Sequence, residues 1–171
     1  PESAGKATFV LTAEDEGKTL EGVTVGDKTL TADDKSTTFT GNSTKFTGLK
    51  DGKYSLEETV APDGYVTVTK FTFDIENGVV KNVSTVTDGN AYVDDKGNLV
   101  VEDKQSEITS DKKALGAEEI PESAGKATFV LTAEDEGKNL EGVTVGDKKL
   151  TKDDKSTTFT GNSTKFTGLK D

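Results

Sequence analysis

Residues 121–171 repeat residues 1–51 almost letter for letter, at a period of 120 residues. Only three of the 51 aligned positions differ: Thr19/Asn139, Thr29/Lys149 and Ala32/Lys152. A fixed period of near-identical sequence indicates an array of modules, and this period suits one small domain with its connection. We therefore interpret residues 1–104 as one complete module, 105–125 as an inter-module linker and 126–171 as the first part of a second module.

The composition removes several kinds of functional site. The chain has no His, Cys, Met, Trp or Arg, and its formal net charge is −11. Without Cys and His it lacks the usual Zn²⁺ ligands, thiolate nucleophiles and imidazole bases. The negative charge disfavours a surface for nucleic acid, and no apolar run approaches the length of a membrane-spanning helix. We expect no metal, no cofactor, no nucleic-acid partner, no membrane insertion by this stretch of sequence, and no enzymatic activity.

Side chains alternate between apolar and polar along most of the chain. The first such run is residues 6–13, in which Ala7, Phe9 and Leu11 share one face. Alternation of this kind predicts half-buried strands, and turn residues such as Asn77-Gly78 separate the runs. Residues 37–40 and 45–49 flank Gly41-Asn42 and predict a hairpin. Many short strands with no helical period predict an all-β fold, an antiparallel β-sandwich.

The same alternation predicts which side chains form the core of the complete module. They are the large apolar residues on the inward-facing positions of the strands: Phe9, Leu11, Val23, Leu49, Tyr54, Leu56, Phe71, Phe73 and Val100.

Residues 46–65 read FTGLKDGKYSLEETVAPDGY and resemble the F-x-G-L-x-x-G-x-Y-x-L-x-E-x-x-A-P-x-G-Y stretch of Cna B-type domains. Residues 17–23 are similar to the G-K-x-L-x-G-A stretch of the same family. The resemblance covers about 100 residues, and it implies an Ig-like, prealbumin-like β-sandwich. Such domains form the stalks of adhesins and pilins on Gram-positive bacteria.

The resemblance also implies a self-formed amide (isopeptide) crosslink between a lysine on the first strand and an Asn or Asp on the last. Glu58 matches the glutamate that promotes this reaction, and Asp103 is the nearest match to the acceptor, with Glu102 one residue out of step. Phe9 occupies the position that matches the family lysine. Lys6 is the remaining candidate nucleophile, although its parity points it outward unless the register shifts. In the alternative reading, Glu58 hydrogen-bonds a turn, Asp103 is solvated and no crosslink forms.

Two functions are compatible with these features. The first is a stalk or spacer repeat of an extracellular, cell-wall-anchored adhesin or pilus-like protein, whose partners are neighbouring repeats or copies of itself. The alternative is a repeated adhesin module that binds a host protein or glycan, with repetition raising avidity.

The second copy of the repeat has no counterpart of residues 52–104, so alone it would expose unpaired strand edges. We expect residues 1–51 to complete the module within the chain, because the turn at Asp51-Gly52 needs little loop closure. Residues 121–171 are then expected to pair with a neighbouring molecule in a swapped or head-to-tail assembly.

Overall fold

The computed structural model describes residues 5–117 and 119–170, which form strands and turns and one 3₁₀ turn at Glu122–Ala124. The chain divides into two compact units. Unit 1 comprises the chain up to Pro62 together with Val66–Lys104, and unit 2 comprises Asp63–Tyr65 together with the chain from Gln105 onward. The fold is therefore all-β, as the alternation predicts.

The strands of unit 1 form three antiparallel sheets. The five-stranded sheet has the order β4-β1-β6-β7-β8, and the smaller sheets have the orders β3-β2-β5 and β10-β9. The strands are β1 (Thr8–Ala13), β2 (Thr24–Val25), β3 (Lys28–Thr29), β4 (Ser36–Thr40), β5 (Phe46–Thr47), β6 (Gly52–Val60), β7 (Phe71–Glu76), β8 (Val79–Lys81), β9 (Gly89–Val93) and β10 (Leu99–Asp103).

Strand β1 pairs on both edges, with β4 and with β6. Its side chains alternate between the two faces of the sheet, and one of these faces is apolar and packs on the core. Leu11 lies opposite Leu56 on β6, and both side chains are buried. Burying one leucine side chain stabilises a fold by about 1.5–3 kcal/mol relative to leaving it exposed.

The core of unit 1 lies between the five-stranded sheet and the smaller sheets. Six of the nine predicted core residues are buried there, and Phe9 and Leu49 pack against them with partial exposure. Val100 is only half-buried, while its neighbours Leu99 and Val101 pack on the core. The prediction for β10 was therefore one residue out of register. The buried side chains are Leu11, Ala13, Leu20, Val23, Leu30, Tyr54, Leu56, Val68, Phe71, Phe73 and Ile75.

The predicted hairpin around Gly41-Asn42 was wrong. Strand β4 pairs with β1, whereas β5 pairs with β2 in the other sheet, so the chain crosses from one layer to the other at this turn. Phe39 and Phe46 nevertheless meet in the core, with ring centroids 4.9 Å apart and edge to face. Strands β4 and β5 are therefore connected by this side-chain contact between the two layers and not by backbone hydrogen bonds to each other.

Unit 2 repeats part of this arrangement with the second copy of the sequence. Its sheets have the orders β11-β16-β13-β14 and β12-β15, and the β12–β15 pairs match the β1–β4 pairs residue for residue at a spacing of 120. The strands are β11 (Glu107–Asp111), β12 (Thr128–Thr132), β13 (Thr144–Val145), β14 (Lys148–Lys149), β15 (Ser156–Thr160) and β16 (Ser163–Thr167).

Strand β11 corrects the interpretation of residues 105–125 as a linker throughout. All five residues of β11 pair with β16, from Glu107 opposite Thr167 to Asp111 opposite Ser163. The polar composition concealed the strand, because β11 lies at a sheet edge and four of its five residues are exposed. Pairing of residues 121–171 with a neighbouring molecule stays a prediction.

Candidate functional site

Strand geometry carries the Glu58 side chain into the core of unit 1. On β6 the side chains of Tyr54, Leu56 and Glu58 point to the same face, and Glu58 is only 6% exposed. Glu57 and Thr59, which have the opposite parity, are exposed. Glu58 lies opposite Phe9 on β1, so a carboxyl group stands where the alternation would place another apolar side chain.

One oxygen of the buried carboxyl group is satisfied and the other is not. Glu58 Oε2 accepts a hydrogen bond from the backbone N–H of Val68 at 2.7 Å. Oε1 is buried and has no hydrogen-bond partner among the residues that the structure describes. The Asp103 carboxyl group is close enough to interact with the Glu58 carboxyl group, and a hydrogen bond between the two acids requires a proton on one of them.

Asp103 at the end of β10 stands beside Glu58. Burial raises the pKa of Glu58 from 4.5 to about 7, the Val68 N–H opposes the rise, and the charge of Asp103 adds to it. Burial also raises the pKa of Asp103. Near neutral pH the Glu58 carboxyl is therefore protonated in a large fraction of molecules, next to a second carboxyl group.

Glu102, the alternative acceptor one residue away, faces the other side of β10. Its carboxylate accepts hydrogen bonds from Asn90 Nδ2 and from the Tyr92 hydroxyl, both at 3.0 Å, on the exposed face of the β9–β10 pair. The alternation of side chains along β10 therefore places Asp103, and not Glu102, on the side of Glu58.

Two further residues shape the site, and the sequence analysis had not identified them. Val68 supplies the N–H donor to Glu58 from residues 66–70, which do not form a strand. Gly89 lies opposite Asp103 on β9, and a Cβ there would stand 2.2 Å from the Glu102 carbonyl oxygen and 2.8 Å from Val68 Cγ2. Gly89 is thus required for the close approach of β9 to β10 and to the Val68 side chain.

Lys6 is not placed with the two carboxyl groups. It precedes β1, and its side chain is exposed, as its parity predicts. The next residue, Ala7, is buried and lines the same cavity as Asp103. The structure thus brings together Glu58 and Asp103 but leaves the Lys6 side chain in solvent.

The cavity beside this pair has a volume of about 980 Å³ and lies within unit 1. Apolar side chains of β1, β6 and β7 line it, including Phe9, Leu56 and Phe73. Residues 41–46 and 98–101 line it as well, and so does Asp103. The cavity is therefore lined largely by apolar side chains, and of the two carboxyl groups Asp103 borders it directly.

Within residues 5–117 and 119–170 no three His, Cys, Asp or Glu side chains lie close enough to hold a metal ion. Asp94 accepts hydrogen bonds from the backbone N–H groups of Lys96 and Asn98, at 2.9 and 2.8 Å. This is an Asx-type turn between β9 and β10. Among the described helices none has the length and apolar character needed to cross a membrane.

Comparison with known proteins gives one family. No curated protein and no solved structure matches the chain significantly. The model of the family described as "SpaA: Prealbumin-like fold domain" matches residues 5–90, which is half of the chain and covers most of unit 1, including Glu58. A prealbumin-like fold agrees with the antiparallel sheets and the shared core of that unit. The chain therefore belongs to the SpaA prealbumin-like domain family.

Proposed function

We propose that the chain is a stalk or spacer repeat, of Cna B-type, in an extracellular, cell-wall-anchored adhesin or pilus-like protein of a Gram-positive bacterium. The SpaA-family match and the antiparallel β-sandwich support this role, as does the near-identical sequence repeat. A repeated module with an acidic surface suits a soluble, extended spacer that projects a binding domain.

We further propose that Glu58 and Asp103 form one amide crosslink with a lysine. The amine nitrogen attacks the side-chain carbonyl carbon of Asp103, a C–N bond forms, and the acceptor oxygen leaves as water. Protonated Glu58 polarises the Asp103 carbonyl and supplies a proton to the departing hydroxyl group, which leaves as water, while the attacking amine returns one proton to Glu58 and keeps one as the amide N–H. Atoms and charge balance, since a neutral amine and a carboxylic acid give an amide and water.

The observation that carries this proposal is the burial of a protonatable Glu58 beside Asp103. Such a pair is costly for folding alone, because two acidic groups lie close together and one of them, Glu58, is buried in the core. Lys6 is the candidate nucleophile, and its side chain has to turn from solvent toward the cavity that Ala7 lines.

The test is the intact mass of the folded chain. A crosslinked molecule is lighter than the sequence mass by one water, and tandem mass spectrometry of a digest identifies the lysine joined to Asp103. Glu58→Ala and Asp103→Ala should restore the full sequence mass, while Glu102→Ala, the matched control on the opposite face of β10, should keep the water loss. A full sequence mass for the folded parent chain rejects the crosslink and leaves the structural role standing on the family and the fold.

If the digest shows a crosslink to Asp103 through another lysine, the reaction stands and Lys6 is replaced as its nucleophile. Lys6→Arg is the direct check, because arginine keeps the positive charge but cannot serve as the amine.

A further inference from the structure

The hairpin of β7 and β8 turns at Asn77-Gly78, the one Asn-Gly pair in the sequence. Glu76 lies opposite Val79, so Asn77 and Gly78 form the whole loop. Both have a positive φ, 53° at Asn77 and 75° at Gly78. A two-residue loop with these angles is a type I′ turn, which matches the twist of the flanking strands. The turn therefore favours this pair of residue types.

The same pair is chemically reactive, because glycine has no side chain to hinder attack on the amide of the preceding asparagine. The Gly78 nitrogen loses its proton and attacks Asn77 Cγ, a C–N bond forms, and ammonia leaves. Water then opens the succinimide ring at either carbonyl group, which gives an aspartate or an isoaspartate. Atoms balance, since an amide and water give a carboxylic acid and ammonia. Asn77 and Gly78 are exposed, so water reaches both.

The carboxylate of Asp51 contacts the backbone of this turn. Its Oδ2 accepts a hydrogen bond from the Asn77 N–H at 3.0 Å, and its Oδ1 accepts one from the Gly78 N–H at 3.4 Å. Asp51 immediately precedes β6, whose first residue, Gly52, pairs with Ile75 on β7. The register of β6 and β7 thus brings Asp51 to the turn.

This contact opposes deamidation in three ways. The Gly78 nitrogen attacks only after it has lost the proton that it donates to Asp51. As the proton leaves, the nitrogen becomes negative, and a neighbouring carboxylate repels that charge. The two hydrogen bonds also hold the turn, whereas ring closure requires the Gly78 nitrogen to move onto the Asn77 side chain. The folded chain should therefore react more slowly than the same sequence unfolded.

An isoaspartate would not fit this hairpin. It places one more carbon atom in the backbone of a two-residue loop, and loop length sets the register of a hairpin. In the present register Ile75, which is 4% exposed, lies opposite Val80, which packs against the core. Strand β8 lies at the edge of the five-stranded sheet, next to β7. A change of register would withdraw Val80 from the core and loosen this edge.

We propose that Asn77 is a site of spontaneous deamidation, that Asp51 slows the reaction in the folded chain, and that the isoaspartate product loosens β8. Water is the co-reactant. Asp51 precedes β6 and Glu58 lies near its other end, so this site is separate from the pair of carboxyl groups. The rate of the modification then depends on how often the turn opens.

The test is peptide mapping of the full-length chain during incubation at mildly alkaline pH. Mass spectrometry follows the conversion of Asn77 to aspartate and isoaspartate. Asp51→Ala should react about threefold to tenfold faster than the parent chain, the effect of losing one hydrogen bond. Asp33→Ala is the matched control, because it removes the same charge at an exposed position between β3 and β4 and should leave the rate unchanged.

Denaturant separates the effect of the fold from that of the local sequence. In guanidinium chloride the parent chain and Asp51→Ala should react at one common, higher rate, because Asp51 contacts the turn only in the folded chain. Asp51→Ser keeps a small hydrogen-bond acceptor without the charge, and its rate in the folded state should lie between those of the parent chain and Asp51→Ala. Circular dichroism checks that each variant is folded before its rate is compared.

Three rates would overturn the proposal. The first is an equal rate for Asp51→Ala and Asp33→Ala, and the second is an equal rate for the folded and the denatured parent chain. The third is a slower reaction in Asp51→Ala, which would show that the carboxylate helps to remove the Gly78 proton.

Hydrogen exchange of the purified isoaspartate product tests the effect on β8. Amides of residues 79–81 should exchange faster in this product than in the unmodified chain. Unchanged exchange there would contradict the loosening of β8. The crosslink of Glu58 and Asp103 is read as a loss of water in other peptides, so its failure does not affect these results.

Discussion

At the scale of the residue, the burial of Glu58 is the feature that most distinguishes this chain from an ordinary β-sandwich. The side chain follows the inward parity of β6 and reaches the core without an ionic partner, so burial favours its neutral form. Tyr54 lies four residues earlier on the same face of β6 and is also buried. Its polar group is paired in the usual way, since its hydroxyl donates a hydrogen bond to the Lys50 carbonyl oxygen at 2.7 Å. Glu58 has the burial of a core residue and the chemistry of an acid.

The raised pKa of Glu58 predicts how stability depends on pH. The folded-state pKa is about 7 and the ordinary value is 4.5, so between these pH values the folded state binds more protons than the unfolded state. Stability should be highest below pH 4.5 for this group and should fall, by up to about 3 kcal/mol, as pH rises to 7.

This measurement is made by denaturant unfolding of Asp103→Ala, which lacks the acceptor and therefore the amide. Burial, the largest cause of the raised pKa of Glu58, remains in this variant, whereas the contribution of the Asp103 charge is lost, so the fall in stability should be smaller than with both carboxyl groups present. The double variant Asp103→Ala with Glu58→Gln is the control, since glutamine does not titrate and should remove the dependence. If the free energy of unfolding depends equally on pH in both variants, groups other than Glu58 cause the dependence.

At the scale of the element, identical sequences differ in structure because a strand depends on its neighbour. Residues 43–47 and 163–167 have the same side chains and the same preceding asparagine, but β11 lies only beside the second set. Backbone N–H and C=O groups of an edge strand are satisfied by whatever strand is available, and propensity alone does not choose it. The length of the strand formed by this repeated sequence therefore depends on whether a neighbouring strand is present.

Hydrogen exchange measures this difference with an internal control. The two stretches have the same intrinsic exchange rates, because those rates depend on local sequence. At low protein concentration we expect slower exchange for amides of residues 163–167 than for the matching amides of residues 43–47, followed by NMR, which separates the two copies. Thr109→Pro, which interrupts β11, should abolish the difference. Equal protection in the parent chain would contradict the pairing of β11 with β16.

At the scale of the whole molecule, the two units have cores of very different size. Eleven buried apolar residues form the core of unit 1, whereas the buried cluster described in unit 2 consists of Leu140, Val143, Leu150 and Phe166. A smaller core buries less apolar surface against a similar entropic cost per residue. Unit 2 should therefore be the less stable part of the chain.

Matched leucine substitutions test this expectation. Leu20 and Leu140 are equivalent in the repeat and both are buried, at 0% and 4% exposure. Calorimetry should show two transitions, with Leu20→Ala lowering only the upper one and Leu140→Ala only the lower one. A leucine-to-alanine change in a core costs about 2–5 kcal/mol, enough to move a transition visibly. A single transition shifted by both variants would show that the units unfold together.

The sequence alone determined the fold class and most of the strands of unit 1, because alternation of apolar and polar residues decides which face of a strand is buried. It placed Glu58 and Asp103 as candidates through their positions in a family pattern, and it identified six of the eleven residues of the buried core of unit 1. The tertiary structure decided the rest: the pairing of β4 with β1 rather than β5, the strand at residues 107–111, and the contacts of Val68 and Gly89 at the site. These features depend on which chain segments meet across long separations, and a local pattern carries no information about a distant partner.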